Sequence, residues 1–88
     1  MSIDIHAIPL TIRTSSFFSP ENLILLTTVS ELPNIDPSFS DARLKNIIQY
    51  YSINPQEMEK ELHIYAAELL SEGKVDAAWQ ILLSGENI

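Results

Sequence analysis

Carboxylates, hydroxyls and two histidines are the side chains of this 88-residue chain that could do chemistry, since it contains no cysteine. That absence excludes disulfides, thiolate zinc sites and cysteine nucleophiles. His63 follows Glu59 by one helical turn, a spacing that can present both to one metal ion. A third ligand would have to be His6 or a distant carboxylate, and no spacing supports either. His63 therefore reads as an exposed helical histidine, and neither a metal nor a cofactor is expected. The chain has no Gly-rich phosphate loop and no Gly-x-Ser-x-Gly elbow, and Gly73 and Gly85 both read as helix ends. No catalytic residue is nominated, and a non-enzymatic protein is expected.

The more informative constellation is acidic. Between Pro55 and Glu72, at about 100° per residue, Glu57, Glu61, Glu68 and Glu72 fall on one narrow stripe, with Ile64 among them. Such a face suits a basic, partly apolar protein surface, with charge steering the encounter and Ile64 as its anchor. The plainer reading is a solvated face carrying one stray isoleucine. Net charge is −7, from twelve acids and five bases. That balance argues against direct nucleic-acid binding, which needs clustered Lys and Arg, and against anionic membrane surfaces. The apolar run Leu23–Leu26 is far short of the roughly 20 residues a membrane span needs. Met1-Ser2-Ile3-Asp4 lacks the basic start and apolar stretch of a secretory signal, which leans towards a cytoplasmic protein.

The elements that must position these residues are mostly helical. Residues 1–88 make one domain, an extended arm over 1–14 followed by a helical body over 19–88. The fold class expected is mainly α, a small bundle of about four helices near 20–32, 40–51, 55–71 and 74–83. Over Ile3 to Arg13 the apolar residues alternate in two registers around Pro9, which predicts an edge strand or an extended arm lying across the helices. Ser19-Pro20-Glu21 is a helix start, and the helix should end before Pro33. A strand over 23–29 competes, because Thr27, Thr28 and Val29 are β-branched. The next helix begins near Ser40, with Phe39 and Leu44 as a hydrophobic staple, and buries Leu44, Ile47, Ile48 and Tyr51. Asn54-Pro55-Gln56-Glu57 is the strongest local signal: asparagine caps, proline takes the first turn, and Glu57 completes a capping box. Met58, Leu62, Tyr65, Ala66 and Leu69 then form the inner stripe, and Gly73 ends the helix. Val75, Ala78, Trp79 and Leu82 resume the period, so a short connection forces an antiparallel hairpin.

Within that hairpin, Ala66, Leu69, Gly73, Val75, Ala78 and Leu82 are spaced as small and large positions are in one tetratricopeptide-type repeat. The segment 62–85 resembles a single such hairpin. The resemblance implies two packed helices and a role in binding other proteins.

The last helix carries apolar groups on most sides. Ile81 and Leu83 point away from the Val75, Ala78 and Leu82 face, and Trp79 lies to one side. Either the N-terminal arm and the 20–32 helix cover it, or another chain does, a second copy of this one included. Aromatic residues such as Trp79, Tyr50 and Tyr65 suit interfaces and cores alike. The candidate partner-binding residues are therefore Glu57, Glu61, Ile64, Glu68, Glu72, Trp79, Ile81 and Leu83. The expected function is an adaptor or chaperone-like subunit that binds another protein, one of basic character included, through apolar helix faces. An acidic inhibitor, such as a toxin-neutralising immunity protein or a nucleic-acid mimic, is the alternative, and an enzyme comes third.

Overall fold

The computed structural model describes residues 8–28 and 41–86. Within these residues five helices follow one another and there is no strand: α1 (Leu10–Arg13), α2 (Pro20–Thr27), α3 (Ala42–Tyr50), α4 (Pro55–Ser71) and α5 (Val75–Glu86). The protein is mainly helical, as its periodicity predicts.

The longest helix, α4, keeps the bounds its sequence sets. The Asn54 side chain accepts from the Glu57 amide at 3.3 Å, and Pro55 occupies the first turn, where its missing N–H costs nothing. Met58, Leu62, Ala66, Leu69 and Leu70 form its buried stripe. The exit is a Schellman turn. The Gly73 amide donates to Leu70 O at 3.0 Å and the Lys74 amide to Leu69 O at 2.9 Å, while Gly73 has φ +80°. Nothing lies within 4 Å of where a Cβ on Gly73 would stand, so the backbone angle, not space, asks for glycine.

Gly73 turns the chain so that α5 packs back on α4 in the most extensive helix contact of the fold. Ala66 and Ala78 are both fully buried, as small residues are where helices approach closely. Helix α5 continues through Gly85 to Glu86, so Gly85 is not its end; terminal turns of this kind are assigned only to within a residue or two.

Helix α2 is capped by Ser19, whose hydroxyl accepts from the Asn22 amide at 3.2 Å. It buries Leu23 and Leu26 and is helical to Thr27, which removes the competing strand over that stretch; Val29 to Leu32 lie outside the described residues. Helix α3 is capped by Asp41, not Ser40, because the aspartate carboxylate accepts from the Leu44 amide at 2.8 Å. The staple partner Phe39 lies outside the described residues.

The N-terminal arm differs from expectation. Residues 3–7 lie outside the described part, but Leu10–Arg13 is a helical turn and not an extended strand. The Pro9 carbonyl accepts from the Ile12 and Arg13 amides, and Arg13 Nε donates to the Ile8 carbonyl at 2.9 Å. Alternation would have put Ile8, Leu10 and Ile12 on one side. Instead Ile8, just before the Pro9 cap, and Ile12, inside the turn, are buried and Leu10 is exposed.

Candidate functional site

The acidic stripe of α4 is not an open face. It meets α3 through a connected polar cluster built on the cap of that helix. Asp41 holds the Leu44 amide with Oδ1 and, through Oδ2, accepts a 2.6 Å hydrogen bond from the Tyr65 hydroxyl. Two residues on, the Arg43 guanidinium lies 4.4 Å over the Tyr65 ring and forks onto the Glu68 carboxylate. The Glu68 hydrogen bond is the main cause that raises Arg43, with Glu61 contributing charge at longer range, and the same bond lowers Glu68. Burial, and then the bond to Asp41, push the Tyr65 phenol up to about 12.

The nominated acids therefore divide. Glu61, half-buried, and Glu68, exposed, share the field of Arg43, while Glu72 is exposed and pairs with Lys74 at 3.3 Å. Glu57 is exposed, and its amide rather than its carboxylate takes part in the cap. Ile64 is half-buried. Chemically the stripe is a partly neutralised surface with free acid at its start.

The nominated apolar residues of α5 are mostly inside. Trp79 is 1% exposed and Ile81 is fully buried, so neither is at the surface of the folded chain; Leu83 is half-buried against the same core. The reason is internal cover. Helix α2 packs on α5, and the Trp79 indole Nε1–H donates to the Leu26 carbonyl at 3.1 Å. Leu26 O belongs to the last turn of α2, where carbonyls lack an intrahelical donor, so Trp79 fills the core and closes that helix end together.

The large apolar side chains that do reach solvent are elsewhere. Ile53 is 94% and Tyr50 83% exposed, at the corner where α3 gives way to α4; Leu10, Ile24 and Leu25 are exposed to a lesser degree on α1 and α2. The corner is a tight turn, closed by the Asn54 amide donating to Tyr51 O at 3.0 Å, with the Tyr50 and Tyr51 rings 6.1 Å apart. Tyr50 ends α3 and Ile53 immediately precedes the Asn54 cap, so both stand at this hydrogen-bonded turn. Tyr50 is recognisable in the sequence as an aromatic anchor. Ile53 is not, because a residue between two caps belongs to no helical face.

His63 is also not where the sequence suggests. It is buried, with its ring edge-on to Phe18 at 5.6 Å. Its Nε2 stands 3.8 Å from a Glu59 carboxylate oxygen. Burial lowers its pKa, with the Glu59 charge partly opposing. Among the described residues no group of three or more His, Cys, Asp or Glu is placed to hold a metal ion. No helix among them is long and apolar enough to cross a membrane. Comparison with protein-family models, with curated proteins and with solved structures gives no significant match.

Proposed function

We propose that this chain is a small non-enzymatic protein-interaction module, an adaptor or chaperone-like subunit, that docks through the α3–α4 corner. The observation that carries the reading is the exposure of Ile53 and Tyr50 on a hydrogen-bonded turn. Scattered exposed apolar residues are ordinary, but two large ones at one hydrogen-bonded turn supply the kind of anchor that dominates interface energetics. Glu57 lies in the first turn of α4, and the chain carries a net charge of −7. The partner proposed is a protein with an apolar recess and a basic rim, the charge raising the rate of encounter. A cytoplasmic setting belongs to the same proposal and fits a chain without cysteine. The likeness of 62–85 to a tetratricopeptide hairpin points the same way, with α4–α5 as the scaffold that holds the corner.

The test is affinity capture from cell extract with the wild-type chain, Ile53→Asp and Glu57→Lys. The expected result is a retained protein that Ile53→Asp loses and that raised salt reduces only modestly, with the far-UV dichroism of the variant unchanged. Capture that survives Ile53→Asp but collapses with salt or with Glu57→Lys would instead favour an acidic inhibitor. Retention indifferent to both substitutions would sink the corner as a docking site.

A further inference from the structure

We propose that Ile8–Ser19, comprising α1 and its connection to α2, is a pH-sensitive latch on α4, closed over neutral His63 and released when that imidazole takes up a proton. The latch is attached by apolar side chains at three places: Ile8, Ile12 and Phe18 are each buried in the core. Between it and α4 runs a groove of about 260 Å³. Thr11, Ser15 and Phe17 line its latch side, and Gln56, Glu59 and His63 line the α4 side. His63 sits at the seam of these two walls, with Phe18 of the latch packed edge-on against its ring. Among the described residues it is the single buried polar or charged side chain.

The charges around it decide what protonation does. The titratable groups that line the groove besides His63 are Glu59 and Lys60, both on α4. The latch side presents hydroxyls and aromatic rings, and the Arg13 Nε of α1 is occupied with the Ile8 carbonyl. An imidazolium in the closed state therefore has one carboxylate, Glu59 at 3.8 Å and half in solvent, and a phenyl ring for the rest. Water must supply what is missing, and the groove is the route by which it arrives.

The two walls differ in how readily they move. Helix α4 is seventeen residues long and makes its most extensive contact with α5, whereas α1 is a four-residue turn. Local opening takes the weaker unit first. The sign follows from burial holding His63 below its ordinary value. Above about pH 6.5 the imidazole is neutral whether the latch is open or closed, and the closed state loses nothing. Below that value the open state binds the proton preferentially, so opening grows as pH falls until the closed form also titrates. One proton sets the limit: the opening constant rises at most about tenfold per pH unit.

Native-state amide hydrogen exchange from about pH 7.5 to about pH 5, corrected for intrinsic rates, reads this directly. The amides of Ile12, Arg13 and Thr14, which donate to Pro9 and Leu10 carbonyls, report the latch, and those of α4 and α5 report the body. The expected result is latch protection that falls by up to about tenfold per pH unit below about 6.5, with body amides unaffected. His63→Gln should abolish that pH dependence, which also separates it from His6. Glu59→Gln removes the counter-charge that the described residues place beside the imidazolium and should carry the fall in protection to lower pH. Latch and body amides with the same pH profile would overturn the proposal. So would a profile that survives His63→Gln, or, if that variant does not fold, one that Glu59→Gln leaves unchanged.

Discussion

In the α4–α5 hairpin the start and the turn are set by neighbours in sequence: the Asn54 cap starts it and Gly73 turns it. In the N-terminal segment Ile8–Thr28 the start of α2 is also set locally, by the Ser19 cap, but its cover comes from a distance. Ile8, Ile12, Phe18, Leu23 and Leu26 are buried in the same core as the hairpin, and the Leu26 carbonyl at the end of α2 is met by Trp79, 53 positions along the chain. The hairpin's bounds and its main packing both lie within it, while the N-terminal segment, though locally capped at Ser19, relies on the hairpin for its burial. Local elements form readily, and long-range ones hold only once their partner exists.

The largest effect should come where the two regions meet. Trp79→Ala removes a buried aromatic and should destabilise the chain by about 3–5 kcal/mol in urea denaturation, a large part of the stability of a domain this size. Trp79→Phe sharpens the comparison, because it keeps most of the volume and leaves Leu26 O without the indole. Its expected cost is about 1–3 kcal/mol, and the amides of α2, such as Leu23, should lose protection before those of α4 and α5. Equal losses in both regions would show that the N-terminal segment is no more dependent than the hairpin.

A smaller effect tests the other side of the contrast. Gly73→Ala meets no neighbour, so its cost is the left-handed backbone alone, about 1–2 kcal/mol in denaturation midpoint experiments. Gly73→Asn should recover part of this, since asparagine tolerates that region better. A loss well beyond that range would mean that the turn is held by more than its φ angle.

The same contrast explains what could be read from residues alone. Helix α4 has the bounds its Asn-Pro cap and its glycine dictate, because caps and left-handed turns are short-range chemistry. The turn at Leu10–Arg13 was hidden because four residues are too few for a helical period, and the Ile8, Leu10, Ile12 alternation mimics a strand. Trp79 and Ile81 look like uncovered surface while α5 is taken alone; their burial in the core, Trp79 against the end of α2, shows that their cover is internal. The Asp41, Tyr65, Arg43 and Glu68 cluster had no local signal either, since its bonds span 24 and 25 positions. Nor had His63, whose burial depends on Phe18 and the segment before it.

That cluster gives the smallest expected effect, and it asks whether α3 is tied to the hairpin by packing or by polar chemistry. Tyr65→Phe deletes the hydroxyl that donates to Asp41 at 2.6 Å and leaves the ring under Arg43 and the Asp41 cap in place. Because the phenol is half exposed, solvent screening limits the loss at neutral pH to about 1 kcal/mol or less. The pH dependence is the sharper readout. The Tyr65 pKa is raised from 10.0 to about 12, by burial first and by Asp41 second, so folding favours the neutral phenol. Its stabilisation is complete below about pH 10 and is lost as pH climbs from there towards 12. Wild type should therefore lose stability across that window by more than Tyr65→Phe, so the gap between the two curves narrows and then reverses, because a half-buried phenolate carries a desolvation cost that phenylalanine lacks. Parallel curves would mean that the hydroxyl adds nothing, leaving Leu44 and Ile47 to hold α3 by burial alone.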